Sequence, residues 1–346
     1  RGWMALTQVA LAALGLLLAG VGERPEAVWV VGALALALAV ASATQDIALD
    51  AYRIESARVE KQAALAAMYQ TGYRLAMIWA GAGVLWIAAR AAGSDTGYHA
   101  SAWTTAYFAM AASMGVGVLA VLLSPEPAAR DAGMLATQVG ATTLGSPAAR
   151  VLAWLQSAVV GPFADFIGRY RWHALLLLAL IATYRISDVV MGIMANPFYV
   201  DMGYTKDEVA AVSKAYGVVM TLAGAFLGGA LALRFGVIRI LMLGAVLSAA
   251  SNLLFAWLAT RGHDLTGLIF VISADNLSAG IASAAFIAYL SGLTNVAYSA
   301  TQYALLSDLA DAPSQTLAGD AALLAHAEAA VRALNQQHEP LPDGAP

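Results

Sequence analysis

Long apolar runs separated by short polar connections dominate the pattern of hydrophobic and polar positions. A helix rises about 1.5 Å per residue, so about 20 apolar residues cross the hydrocarbon core of a bilayer. Eight runs reach that length: residues 3–22, 28–50, 65–88, 103–123, 172–198, 208–233, 237–259 and 267–293. The pattern predicts an all-α, polytopic membrane protein with eight spans.

The longest connection, residues 124–171, separates the fourth predicted span from the fifth. Its later part, "SPAARVLAWLQSAVVGPFADFIGRYRW", begins with Ser146 and Pro147, which are typical of a helix start. The apolar and basic residues that follow favour a helix lying on the cytoplasmic face. We therefore predict a cytoplasmic linker that contains an amphipathic helix.

Four spans on each side of this linker predict two half-bundles, residues 1–123 and 172–310. A weak internal echo agrees, since "EKQAALAAMYQTGYRLA" in the first half resembles "SATQYALLSDLADAPSQTLA" in the second. Hydropathy then falls, so residues 311–346 are predicted to form a polar tail with a short helix near 320–334. With the first residue in the cytoplasm, ten basic residues lie inside and five outside, which agrees with the positive-inside rule.

Composition narrows the functional classes. Hydrophobic residues make up 60% of the 346 and charged residues 12%, against about 25% charged in soluble domains. The net charge of -4 and the lack of a basic patch give no indication of a nucleic-acid partner. The absence of cysteine excludes disulfides, thiolate metal sites and a cysteine nucleophile.

Polar side chains within the spans are the candidates for chemistry, because a charge at the bilayer centre costs at least about 2.5–3.5 kcal/mol. Asp46, Asp50 and Arg53 have i, i+4, i+7 spacing and share one face of the second span. The others lie in or just beyond the third, fifth and eighth spans: Arg74, Arg185, Asp188, Asn196, Asp275, Asn276, Gln302 and Tyr303. These residues predict a water-filled cavity for a polar, anionic solute, with one carboxylate exchanging a proton.

Structural roles compete with this interpretation. Asp50 and Arg53 lie near the cytoplasmic interface, where snorkelling or an ion pair is the usual explanation. Arg185 and Asp188 have i, i+3 spacing, so they can neutralise each other within one helix. No metalloprotease or nucleotide-binding motif is present, and the sequence predicts no enzyme activity, no metal site and no cofactor.

Four segments make the chain recognisable: "SATQDIALDAYRIE", "YRISDVVMGIMANPFYVDMGYT", "ADNLSAGIASAAFIAYLSGLTN" and "YSATQYALLSDLA". They resemble the AmpG-type muropeptide permeases, a branch of the major facilitator superfamily with twelve helices in two bundles. The loop "GGALALRFGVIR" is similar to a gating loop of that superfamily, with Leu233 where an Asp is common. The resemblance implies about eight of the twelve helices, the third to the tenth, with the chain truncated at both ends.

The resemblance also implies a function. The family imports N-acetylglucosaminyl-anhydro-N-acetylmuramyl sugars and peptides from periplasm to cytoplasm, driven by the proton gradient, for cell-wall recycling and β-lactamase induction. The implied location is the bacterial inner membrane, and the implied partners are the anhydro-muropeptide, protons and the lipid bilayer.

Residue roles follow from the same resemblance. Gln45 and Asp46 of "ATQD" carry over most readily as substrate-binding residues, before the other polar residues named above. Asp46 and Asp275 are the expected proton-coupling carboxylates. The expected gate residues are Asp50, Arg53, Arg234 and Arg239. Two alternatives stay open: a carrier of acetyl-coenzyme A or another anionic solute from the same superfamily, and a non-transporting, truncated membrane protein.

Overall fold

The computed structural model describes residues 2–20, 28–93, 99–127, 156–313 and 315–316, and in these ranges the secondary structure is helical without a strand. The helices that are long and apolar enough to cross a membrane are α1 (Gly2–Gly20), α2 (Val28–Ser56), α3 (Val59–Ala92), α4 (Ala100–Leu123), α6 (His173–Asp201), α7 (Lys206–Phe235), α8 (Val237–Ala259) and α9 (Leu265–Leu293). Two further helices are α5 (Gly161–Tyr170) and α10, residues 299–313. All eight predicted spans are confirmed.

Three of the spans are not regular α-helices along their whole length. A π-helical turn, Trp79–Gly83, interrupts α3, and another, Ala210–Tyr216, lies near the start of α7. In α6, Arg185 separates two α-helical segments, His173–Tyr184 and Ile186–Asp201. Such irregular turns inside membrane helices are tolerated where they line a cavity or pack on protein. All three irregular helices line the cleft described below.

Large apolar side chains cover the outside of the bundle. Trp29, Leu123 and Leu175 are 87%, 76% and 74% exposed. In water, an apolar surface of this kind would make protein molecules associate, whereas in a bilayer the lipid tails solvate it. The exposed apolar surface therefore fits a protein surrounded by a bilayer.

Glycines bring α7 and α9 into close contact. Gly224 and Gly228 form a small-xxx-small pattern, which predicts helix packing. A Cβ on Gly224 would lie 2.2 Å from the carbonyl oxygen of Leu277, and one on Gly228 would lie 2.8 Å from the Cα of Ile281. The packing interpretation of both glycines is thus confirmed.

Helix α3 connects the N-terminal helices (α1–α4) to the C-terminal helices (α6–α10). Its outer segment, Val84–Ala92, packs on α4, while its inner segment, Gln62–Ile78, packs on α7 and α9. A Cβ on Gly229 of α7 would lie 3.1 Å from the carbonyl oxygen of Ala63. The two groups of helices therefore approach each other closely where α3 crosses α7.

The linker helix α5 packs against the inner end of the C-terminal helices. The Arg169 guanidinium donates to the carbonyl oxygen of Leu293 and to Oε1 of Gln302, both at 3.0 Å. The carboxylate of Asp165 accepts hydrogen bonds from the amides of Gln302 (2.8 Å) and Asn295 (3.0 Å). These contacts fix α5 to protein, whereas the predicted start of the linker helix at residues 146–147 lies outside the described residues.

Helix α10 continues to residue 313, past the start of the predicted polar tail at residue 311. Residues 317–346, which include the predicted short helix at 320–334, lie outside the described residues. The first residues of that predicted tail therefore belong to a helix, and Asp311 lines a cavity.

Candidate functional site

A polar cleft lies between α2 and α3 on one side and the C-terminal helices on the other. It comprises three connected chambers with volumes of about 570, 500 and 410 Å³, called here the outer, central and inner chambers. Arg74 and Thr221 line both the outer and the central chamber. Tyr69, Arg185 and Asp311 line both the central and the inner chamber.

Carboxylates and amides line the outer chamber, where hydroxyl groups of neighbouring helices hold them. Ser248 donates to Asp188, and Ser251 donates to Asp275 at 2.9 Å. The side-chain oxygen of Asn276 accepts a hydrogen bond from Thr221 at 2.9 Å. Apolar and aromatic side chains complete the wall, among them Met191, Tyr199, Phe255 and Ile272. A chamber with fixed acceptors between apolar surfaces suits a ligand with hydroxyl and amide groups.

Two guanidinium groups line the central chamber, and within the described ranges one of them pairs with a carboxylate. Nη1 of Arg185 lies 2.8 Å from Oδ1 of Asp311. Arg74 makes no ion pair with any of the described residues, and its buried Nε has no hydrogen-bond partner. Since a half-buried guanidinium without a counterion is unfavourable, Arg74 is suited to an anionic group that enters the cleft.

Arg53 joins the N-terminal and C-terminal helices at the inner end of the cleft. It is only 6% exposed, and Nη2 lies 3.3 Å from the Asp50 carboxylate. Its Nη1 donates to Ser291 of α9 at 3.0 Å. The guanidinium carbon also lies 5.6 and 4.9 Å from the ring centroids of Tyr69 and Tyr303, close enough for cation–π attraction.

The structure brings eight of the ten predicted substrate-binding residues to the cleft: Asp46, Arg74, Arg185, Asp188, Asn196, Asp275, Asn276 and Tyr303. Asp46 lies in the inner chamber and Asp275 in the outer one, so the two expected proton-coupling carboxylates do not share a chamber. The neutralising pair between Arg185 and Asp188 does not form, because these side chains bond to other helices.

The two glutamines are the exceptions. Gln302 is 3% exposed, and its amide is occupied by Asp165, Arg169, the backbone of Asn295 and the carbonyl of Pro162, so it holds the inner surface together. Gln45 lines none of the three chambers, and its buried Oε1 has no hydrogen-bond partner in the part of the chain that the structure describes.

The predicted gate residues fall into two pairs. Asp50 and Arg53 form the ion pair described above, as the structural alternative required. Arg234 and Arg239 are exposed on either side of the tight turn at Gly236, whose φ of 87° requires glycine. This turn joins α7 to α8 at the same end of the bundle as Arg53.

Sequence reasoning missed further polar residues of the central chamber: Tyr69, Gln70, Tyr73, Thr221, Ser283, Asp311 and Gln315. Three of them precede Arg74 on α3, with Tyr69 and Tyr73 spaced i, i+4 and Gln70 and Arg74 likewise. Two adjacent polar stripes on an otherwise apolar helix are the signal that would have found them.

No family model matches the chain, but its sequence is similar to those of several known proteins. The chain is 34% identical to the anhydromuropeptide permease of Escherichia coli K12 over 314 residues, which cover 89% of this chain and 57% of that protein. AmpG 4 of Rickettsia felis is 32% identical over 274 residues, covering 79% of this chain and 61% of that protein. AmpG 4 of Rickettsia conorii is 31% identical over 284 residues, covering 82% and 63%.

The chain thus spans about three fifths of the length of these curated relatives. The AmpG proteins are transporters of the major facilitator superfamily, whose all-helical bundles agree with the apolar spans found here. Since the similarity covers most of this sequence, the chain is a homologue of the AmpG-type permeases, and its apolar helices are those of a multi-pass protein of the inner membrane.

Proposed function

We propose that this protein carries anhydro-muropeptides from the periplasm to the cytoplasm through the cleft between its N-terminal and C-terminal helices. The observation that carries the proposal is Arg74, a guanidinium without an ion-pair partner among the described residues, at the junction of the outer and central chambers. An anhydro-muropeptide brings a lactyl or peptide carboxylate, which a guanidinium binds through paired, charge-assisted hydrogen bonds.

The remaining lining suits the sugars of such a substrate. Asn196 and Asn276 offer amide groups for acetamido substituents, and Asp188 and Asp275 offer acceptors for sugar hydroxyls. Tyr199 and Phe255 supply the apolar wall against which a pyranose face packs. The name of the relative from Escherichia coli agrees with this cargo.

Uptake is driven by the proton gradient in this proposal, with Asp46 and Asp275 as the coupling carboxylates. One lies in the inner chamber and the other in the outer chamber, so each is reached from a different side of the cleft. Asp50 and Arg53 form the inner gate, with Arg234 and Arg239 on the neighbouring turn. The imported muropeptides would serve cell-wall recycling and influence β-lactamase induction.

The test is uptake of a labelled N-acetylglucosaminyl-anhydro-N-acetylmuramic acid by permease-deficient bacteria that express this chain. We expect uptake that a protonophore abolishes. Arg74→Gln should raise KM about tenfold or more, because a hydrogen bond to a charged group contributes about 1.5–3 kcal/mol. Membrane levels of each variant are measured in parallel.

Arg90→Gln is the matched control, since Arg90 lies on the same span but stacks on Trp86 at 4.6 Å and lines none of the three chambers. This variant should transport like the wild type. Equal KM values for Arg74→Gln and the wild type would contradict the role of Arg74. Uptake of acetyl-coenzyme A, without uptake of the muropeptide, would contradict the proposed cargo and favour the acetyl-coenzyme A carrier.

A further inference from the structure

A second guanidinium, Arg185, lies deeper in the cleft than Arg74 and forms an ion pair with Asp311. We propose that Asp311 is a substrate-mimicking counterion, which holds Arg185 until the anionic group of the cargo displaces it. The inference rests on the proposed function and adds a specificity-determining residue that sequence reasoning placed in a polar tail.

The position of Arg185 follows from a break in α6. This residue has φ −98° and ψ −1°, and it ends the segment His173–Tyr184 before Ile186–Asp201 begins. Its guanidinium lines both the central and the inner chamber. A solute that leaves Arg74 for the inner chamber therefore meets Arg185 next.

The partner of Arg185 comes from α10, 126 residues away in sequence. The Nη1–Oδ1 distance of 2.8 Å is typical of a charge-assisted hydrogen bond. The carboxylate of Asp311 presents the same chemical group to Arg185 as the lactyl or peptide carboxylate of a muropeptide. Cargo and Asp311 therefore compete for the same donors.

The exposure of the pair distinguishes it from a structural ion pair. The Arg185 and Asp311 side chains are 41% and 49% exposed, and both line the same two chambers. Arg53, in contrast, is 6% exposed and lies under two tyrosine rings. A half-exposed pair contributes little to stability and exchanges partners readily, because water solvates the released carboxylate.

The competition makes a prediction about selectivity. A cargo with a carboxylate must displace Asp311, whereas the same cargo with a neutral carboxamide gains nothing from Arg185. Removing the charge of Asp311 should tighten binding of the carboxylate cargo and leave binding of the carboxamide cargo unchanged. A purely structural role for Asp311 would weaken both equally.

The experiment measures binding to the full chain in lipid nanodiscs by titration calorimetry. The two ligands are N-acetylglucosaminyl-anhydro-N-acetylmuramic acid and the same disaccharide with its lactyl carboxylate converted to a carboxamide. We expect Asp311→Asn to bind the carboxylate form about twofold to fivefold more tightly, the size of effect typical of a half-exposed ion pair. Arg185→Gln should bind that form about tenfold less tightly, as the loss of a hydrogen bond to a charged group requires.

Asp201→Asn is the matched control, because Asp201 is exposed at the end of α6, the helix that carries Arg185, and lines none of the three chambers. It should bind both ligands like the wild type. An unchanged affinity ratio in Asp311→Asn, while the wild type binds, overturns the inference alone. Failure of the wild type to bind either ligand contradicts the proposed function and the inference together.

A measurement on the wild type covers the case in which Asp311→Asn does not fold. Carbodiimide labelling followed by mass spectrometry reports how accessible the carboxyl group of Asp311 is. We expect the carboxylate ligand to increase labelling of Asp311 and the carboxamide ligand to leave it unchanged. Equal labelling with both ligands overturns displacement.

Discussion

Serine hydroxyls, and not arginines, hold the carboxylates of the outer chamber. Ser248 donates to Asp188, and Ser251 donates to Asp275. A hydroxyl stabilises a carboxylate without neutralising it, so the chamber keeps its acceptors while Arg74 keeps its donors. Charged groups of both signs thus stay available to a solute within one chamber.

Arg53 is the residue whose loss should most affect stability. Arg53→Gln leaves Asp50 without its cation in a buried setting, and breaking a buried pair from one side costs about 3–5 kcal/mol. We expect a clearly lowered melting temperature in nanodiscs. Arg53→Lys keeps the charge but loses the guanidinium that lies over the Tyr69 and Tyr303 rings. Its melting temperature should therefore lie between those of the wild type and Arg53→Gln.

The control for Arg53 is Arg234→Gln, because Arg234 is exposed and its guanidinium contacts the neighbouring Phe235 ring. Its melting temperature should equal that of the wild type. Equal melting temperatures for Arg53→Gln and Arg234→Gln would contradict the structural part of the Arg53 role.

At the scale of elements, the contact between α7 and α9 depends on the absence of side chains. A Cβ on Gly280 would lie 2.2 Å from the carbonyl oxygen of Thr221, which is backbone and cannot rotate away. Gly280→Ala should therefore force the helices apart and cost about 1–3 kcal/mol, as overpacking does. Gly115→Ala on α4, where a Cβ meets nothing within 4 Å, should leave thermal stability unchanged or raise it.

The docking of α5 depends on the ionised carboxylate of Asp165. Partial burial raises the pKa of Asp165, but hydrogen bonds from Gln302 and Asn295 and the charge of Arg169 outweigh it, so the pKa lies below its usual range. A lowered pKa in the folded state means that the contribution is present above about pH 4, the ordinary value, and is lost as pH falls through the lowered one.

Hydrogen exchange of the α5 amides is the measurement that follows from this argument. Protection in the wild type should be full at neutral pH and fall in acid, below about pH 4. Asp165→Asn should show weaker protection at neutral pH and a smaller change with acid. Equal acid dependence in both proteins would show that Asp165 does not control the docking.

The sequence predicted all eight spans because hydropathy is a local property. It missed Asp311 for the same reason, since the fall in hydropathy placed this residue in a tail, while its partner Arg185 lies 126 residues away. Gln302 is the converse case. As a polar residue near a span end it was predicted to bind substrate, whereas in the structure backbone groups use the hydrogen bonds of its amide. Polarity indicates that a residue needs a partner, not which partner it has.

At the scale of the whole molecule, the inner end of the cleft is where the two groups of helices are joined by polar contacts. Arg53 donates to Ser291 of α9, and the hydroxyl of Ser299 donates to Glu55 of α2. Tight packing between Gly229 and Ala63 lies beside these contacts. Under the proposed function, the polar contacts at this end must open while the outer chamber closes.

The sequence contains no cysteine, so the opening can be measured with introduced cysteines and no native one has to be removed first. Spin labels on cysteines replacing Ser56 and Ala297, both exposed at this end, report the distance between α2 and the connection after α9. We expect a short distance in the wild type and a shift to longer distances in Arg53→Gln, because this change removes the contact with Ser291. Labels at Gly168 and Ala297, both held by the C-terminal helices, should keep one distance in either background. A shift in both label pairs would indicate general loosening of the bundle, whereas a shift confined to the first pair is the signature of a gate.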